Sequence, residues 1–213
     1  MKRKMRISLW ISVGMLLAFI VWTALVCLVD VRAIGPEGSF VGFATLNGYV
    51  HELTGVNMWL YNLTDWLGLL PIATMFGFAV LGLVQWIKRK NILKVDRSII
   101  VLGIFYVAVF AVYLLFEFVP VNYRPTLIEG ILEVSYPSST TMLVMCVMPT
   151  AIMQLQGRIK NKTVKICVIS AIALFTAFMV IGRLISGVHW VSDIIGGALV
   201  SASLVSAYAY FCD

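Results

Sequence analysis

Arg183, His189 and Asp193 fall within GRLISGVHWVSD, residues 182–193 of a chain that is otherwise largely hydrocarbon. An arginine offers a planar, permanently charged fork that matches phosphate oxygens bidentately. A second one, Arg124, is followed by Pro125, and between the two arginines stands Pro137-Ser138-Ser139-Thr140. That run reads as a helix start with Pro137 at or near the first turn, where free backbone N–H groups and the positive dipole end favour an anion. His189 and Asp193 are four apart. On a helix the carboxylate would lie one turn from the imidazole, holding one ring nitrogen and leaving the other free to attack. Each feature has a plainer use: an arginine snorkelling at a span end, an ordinary helix start, a structural His–Asp pair. Together they describe a phosphate pocket beside an oriented nucleophile.

The elements that must position these groups are membrane spans. The chain has 213 residues, 61% of them hydrophobic and 12% charged, with a mean hydropathy of +0.98. Such a composition excludes a soluble globular domain. A bilayer core of about 30 Å needs roughly 17–25 apolar residues per helix. Six runs qualify, approximately Ile7–Val29, Trp66–Ile87, Ser98–Val119, Ser138–Leu155, Val164–Ile181 and Ile194–Phe211. The expected fold class is therefore all-α, an integral membrane bundle of six transmembrane helices forming one membrane domain over 1–213. The first run is too long for a signal-peptide core and reads as a retained helix. Cys27, Cys146, Cys167 and Cys212 have no metal-like or redox spacing and read as buried apolar cysteines.

The net charge of +6 is a matter of topology. Lys2, Arg3, Lys4 and Arg6 precede the first span; Lys88, Arg89, Lys90, Lys94 and Arg97 follow the second; Arg158, Lys160, Lys162 and Lys165 follow the fourth. All lie on one side of a six-span bundle, so the positive-inside rule places both termini in the cytoplasm. No nucleic-acid partner is needed to explain the basicity. Arg124, Pro137–Thr140 and the 183–193 cluster then share the opposite, extracytoplasmic face, expected to be that of the plasma membrane. Ionisable groups at membrane depth mark functional sites by default.

The outer connection 30–65 opens with Gly35-Pro36-Glu37-Gly38, a turn signal. Phe40, Phe43, Leu46, Tyr49, Val50 and Leu53 then recur at three- and four-residue steps, which predicts a short amphipathic helix at the membrane surface. His51, within it, reads as an interfacial histidine without a partner. Glu129 and Glu133, also four apart, read as a solvated helix face; a divalent-cation role is the alternative. Gly77, Gly82 and Gly196-Gly197 could let helices approach closely, within or between chains. The oligomeric state stays open.

Arg183–x5–His189–x3–Asp193, preceded by Arg124-Pro125 and Pro137-Ser138, resembles the three-part signature of the type 2 phosphatidic acid phosphatase family of membrane lipid phosphatases. In motif order, six spans and outer-face placement the resemblance covers essentially the whole chain; the segment 117–193 carries the three motifs, and the last motif is its specific part. It implies a reaction without metal or other cofactor. His189 would attack phosphorus to form a phosphohistidine, Asp193 would orient it, and Arg124, Arg183, Ser138 and Ser139 would bind phosphoryl oxygens. Water would then release phosphate. The implied partner is a phosphorylated lipid: phosphatidate, phosphatidylglycerophosphate or a polyprenyl pyrophosphate.

Three positions depart from the family pattern. Glu117 stands where a lysine is usual, Ser139-Thr140 replaces Gly-His, and Gly182 replaces a serine. The missing histidine is the implied proton donor to the leaving group. A buried, protonated Glu117 could substitute, and a pyrophosphate would need the donor least. Two alternatives use the same residues: a lipid-phosphate-binding protein without turnover, and a phosphotransferase.

Overall fold

The structure, a computed structural model, describes residues 2–212, with side chains described for 6–212. The basic group Lys2, Arg3 and Lys4 therefore lies outside the described side chains. Helix α1 spans Lys2–Leu28, α2 Ala44–Thr54, α3 Met58–Leu67, α4 Leu69–Arg89, α5 Arg97–Phe118, α6 Ser139–Arg158, α7 Lys162–Ile185 and α8 Val191–Cys212. Isolated β-bridges are the only strand-like pairing among the described residues, so the protein is all-α.

Among the described residues, five segments are long and apolar enough to cross a membrane: Arg6–Leu28, Met58–Arg89, Arg97–Phe118, Lys162–Ile185 and Val191–Cys212. The predicted fourth span, α6, is not among them. Its 20 residues would reach about 30 Å, but it carries Thr141, Thr150 and Gln154, all buried. The reason is its position. α6 packs against α4, α5, α7 and α8, so its polar groups meet protein and its surface need not be uniformly apolar. Thr150 Oγ1 donates to the carbonyls of Cys146 and Val147, and Gln154 Nε2 donates to Tyr208 Oη and the Ser98 carbonyl. Of the cysteines, Cys146 is buried as expected, whereas Cys27 and Cys167 are exposed.

α1 and α8 form the most extensive helix pair. Trp22 Nε1 on α1 donates to the Ser192 carbonyl at 3.1 Å, and Thr23 Oγ1 lies 2.7 Å from Tyr136 Oη. Gly196 admits that tyrosine: a Cβ at 196 would come within 2.6 Å of its ring. A Cβ at Gly197 would stand 3.2 Å from the Ser138 carbonyl oxygen. The glycine pair thus brings the start of α6 onto α8 within this chain. At the other end, Arg89 and Arg158 both pair with Asp96, at 2.9 and 3.6 Å, drawing two of the basic connections together.

The connection 30–65 holds two helices, α2 and α3, where one was predicted. Gly55, at φ 59, and Asn57, whose side chain accepts from the Leu60 amide, end the first and cap the second. α2 packs on α8 and α3 on α7. Glu129 and Glu133 lie on no helix. Ile128 and Ile131 exchange backbone hydrogen bonds at 3.0 and 2.8 Å across Glu129 and Gly130, both at positive φ, which is a two-residue primed hairpin turn.

Candidate active site

The site is assembled from four places in the chain. α8 begins at Val191 because Asp193 caps it: Asp193 Oδ2 accepts the Trp190 backbone N–H at 3.0 Å, a side chain in the first turn reaching back to the residue before the helix. His189 therefore sits in the turn before α8, and not on the helix as its four-residue spacing suggested. Its Nδ1 faces Asp193 Oδ2 at 3.8 Å, beyond hydrogen-bond length. Its Nε2 accepts from Arg124 NH1 at 3.3 Å.

Asp193 is completely buried. Its Oδ1 accepts from Asn122 Nδ2 at 3.1 Å and from Ser192 Oγ at 3.4 Å. Asn122 Oδ1 accepts the Gly42 amide, and Asn47, just inside α2, donates to the Gly42 carbonyl and Ser192 Oγ. Asn47, Asn122 and Ser192 are all fully buried. This chain of amides fastens the carboxylate to both the 42–47 segment and the hairpin. A buried carboxylate is tolerated when its lone pairs are filled in this way.

Arg124 leads into the hairpin, and its backbone N–H donates to the Glu133 carbonyl. Its side chain pairs with Glu133 at 2.9 Å, so Glu133 serves as a counter-ion and not as a solvated face. Arg183, in the last turn of α7, is 1% exposed. Its NH1 reaches Thr64 Oγ1 at 3.3 Å, the Tyr61 carbonyl at 3.5 Å and Asp65 Oδ1 at 3.7 Å. The Tyr61 ring lies 4.8 Å from the Arg183 guanidinium carbon and 5.8 Å from that of Arg124. Burial, then the charges of Arg124 and Arg183, hold the His189 imidazole well below its ordinary range, although the Ser135 backbone pulls the other way. The ring is neutral near pH 7, the form able to attack.

Ser138 is the N-cap of α6, its Oγ accepting from the Thr141 amide at 3.5 Å. Pro137 precedes the cap and does not open the helix. The Ser138 backbone N–H donates to the Asp193 carbonyl at 3.1 Å, which sets this helix start beside the start of α8. Ser139 is half-buried and shares a small recess with Ser135, Tyr136, Pro137 and Glu117. Glu117, in the last turn of α5, is exposed. It is not enclosed by protein, so no burial among side chains supports the proton-donor role. Thr140 lines an apolar groove of about 690 Å³ between α4, α5 and α6, together with Phe76 and Phe110.

His51 has a partner after all, its ring packing 5.4 Å from that of Trp190, whose Nε1 donates to the Tyr123 carbonyl. Among the described residues no group of three or more His, Cys, Asp or Glu side chains could hold a metal. The residues missed from the sequence are Tyr61, Thr64, Asn47, Asn122 and Ser192. All are uncharged, and the first three lie outside the motif stretches.

Residues 115–212, which contain Arg124, Arg183, His189 and Asp193, match the model of the PAP2 superfamily. No curated protein matches the sequence. Among solved structures, the chain is similar to one described as the first transmembrane PAP2 type phosphatidylglycerolphosphate phosphatase from Bacillus subtilis. The identity is 19%, the TM-score is 0.63, and 94% of each chain is covered. At that identity the likeness speaks to the fold.

Proposed function

We propose a function from one premise, that through residues 115–212 the chain belongs to the PAP2 superfamily. The protein is a membrane lipid phosphate phosphatase. The observation that carries this reading is the 3.3 Å approach of Arg124 NH1 to His189 Nε2, with Arg183 held on the same tyrosine ring. A neutral imidazole nitrogen lies against one guanidinium, and the second guanidinium shares the Tyr61 ring with the first.

A phosphoryl group enters between His189 Nε2 and Arg124 NH1, and the two arginines take its oxygens. The Nε2 lone pair forms the N–P bond as the bond from phosphorus to the lipid oxygen breaks, and Asp193 stabilises the positive ring. Water then attacks phosphorus, frees the imidazole and leaves inorganic phosphate. Ser138 and Ser139 stand at the start of α6 as further oxygen ligands. No metal or cofactor is required by this scheme.

The whole chain, 1–213, acts as one membrane domain of six spans, with α6 as the protein-enclosed sixth, and 117–193 carries the site. Both termini are cytoplasmic. The site opens to the extracytoplasmic face of the plasma membrane, with the 30–65 connection lying over it. The lipid is phosphatidate, phosphatidylglycerophosphate or a polyprenyl pyrophosphate. Thr140 lines a groove and Glu117 is exposed, so a pyrophosphate, whose leaving group needs little protonation, is the substrate that suits this site best.

The test is phosphate release by detergent-purified protein from those three lipids, with and without chelator, against His189→Ala. Release that survives chelator and vanishes in the variant supports the reading. Lipid binding without release in the parent protein would sink hydrolysis and favour a binding role, to which the near-complete burial of His189 and Arg183 already lends some weight.

A further inference from the structure

We infer that α3 is a further segment of the phosphate site, in which Tyr61 and Thr64 are positioning residues for the arginine pair, admitted there by Gly182. The inference rests on the phosphate-site reading above. Tyr61 and Thr64 lie outside the 115–212 stretch that carries the family match.

Arg183 is almost wholly buried, and a guanidinium in that position needs acceptors or an aromatic face. Every polar contact its side chain makes comes from α3: the Tyr61 carbonyl, Thr64 Oγ1 and the Asp65 carboxylate. The Tyr61 ring adds its face. It also stands within 5.8 Å of the Arg124 guanidinium, so one rigid side chain touches both cations. Like charges brought together repel; an aromatic face between them offsets part of that without adding an anion that would compete with phosphate. Thr64, fully buried, donates its hydroxyl proton to the Leu60 and Tyr61 carbonyls, which aims the oxygen lone pair at Arg183.

The close approach of α3 to α7 depends on position 182. A Cβ at Gly182 would come within 2.9 Å of Thr64 Cγ2, a contact real side chains do not make, and threonine is stiff at χ1. A second anchor follows five residues on. Gly187, at φ +67, lets its backbone touch Gly55, and the Asn57 amide donates to the Ser186 carbonyl at 2.9 Å. The absence of a side chain at 182 is therefore what allows a helix remote in sequence to close on Arg183.

The experiment measures inorganic phosphate affinity by calorimetry and KM and kcat for the best lipid, on the full chain in detergent. Tyr61→Leu should weaken phosphate affinity and raise KM by about tenfold, while Tyr61→Phe, keeping the ring and the carbonyl, stays within about twofold. Gly182→Ala should weaken phosphate similarly, and adding Thr64→Ser, which removes Cγ2 and keeps the hydroxyl, should restore it. Unchanged phosphate affinity in Tyr61→Leu, or no restoration in the double variant, overturns the inference. If Tyr61→Leu does not fold, the Gly182/Thr64 pair decides. Phosphate affinity that tracks α3 in a protein releasing no phosphate would leave this inference standing while removing the phosphatase reading; turnover indifferent to every α3 variant would do the reverse.

Discussion

The Asn122 side-chain amide donates to Asp193 Oδ1 at 3.1 Å while its carbonyl oxygen accepts the Gly42 amide at 3.2 Å. The Asp193 carboxylate is thus fixed from outside its own helix. Replacing Asn122 by alanine would leave Asp193 Oδ1 short of a partner in a fully buried position, at a cost of about 1–3 kcal/mol. The expected outcome is a kcat lowered roughly tenfold or more with KM little changed, because the orienter acts on the attacking ring. Steady-state phosphate release checks it; an unchanged kcat would mean that Asp193 needs no outside support.

On the proposed mechanism Glu133 and a phosphoryl group compete for the Arg124 guanidinium. The carboxylate is 2.9 Å from Arg124 Nε and 41% exposed, so its hold is modest, about 0.2–1 kcal/mol. Glu133→Gln is expected to tighten inorganic phosphate by a few-fold, read by calorimetry at low salt. Weaker phosphate in the variant would show that the carboxylate steers Arg124 into place more than it obstructs.

The neutrality of His189 has a signature in stability. Burial and the two arginines hold its folded-state pKa well below the ordinary 6.5. Below pH 6.5 the unfolded chain takes up a proton that the folded ring refuses, so stability falls as pH drops from there towards the depressed folded value. The contribution reaches about 1.4 kcal/mol per pH unit. Unfolding in detergent from about pH 7 to about pH 5 should cost the parent protein more than His189→Gln. Equal losses would mean that the ring is not held neutral.

Two glycines separate backbone need from coincidence. Gly187 is at φ +67, and a Cβ there would lie 1.7 Å from the Gly55 carbonyl oxygen. Gly187→Ala should destabilise by well over about 1 kcal/mol and displace the His189 turn. Gly77, inside α4, has nothing within 4 Å of a built Cβ, and Gly77→Ala should be neutral or stabilising by up to about 1 kcal/mol. Thermal unfolding of both variants makes the comparison.

What could be read from the sequence was whatever stood out against hydrocarbon. Arg124, Arg183, His189 and Asp193 are conspicuous in an apolar chain, and the structure brings them together. Tyr61, Asn47 and Asn122 are not conspicuous, because uncharged polar and aromatic residues are the ordinary furniture of a membrane surface. Only tertiary contact distinguishes them. Spacing misled where two backbones share it: His189 and Asp193 straddle a helix start, and Glu129 and Glu133 lie on a hairpin, although both pairs are four apart. α6 was overestimated as an apolar span for the opposite reason, since a helix enclosed by protein can carry polar residues that lipid would reject.

The hydrogen bond from Trp22 to the Ser192 carbonyl joins α1 to α8 across 170 positions of sequence. Asp193 and His189 flank that carbonyl in sequence; the partners of His189, Ser192 and Asp193 come from positions 124, 47 and 122. Contacts so distant along the chain form only after the intervening segments are in place. The turn that carries His189 is therefore a late-forming feature of the fold, complete only once Trp22, the 42–47 segment and the 122–124 segment have docked on it.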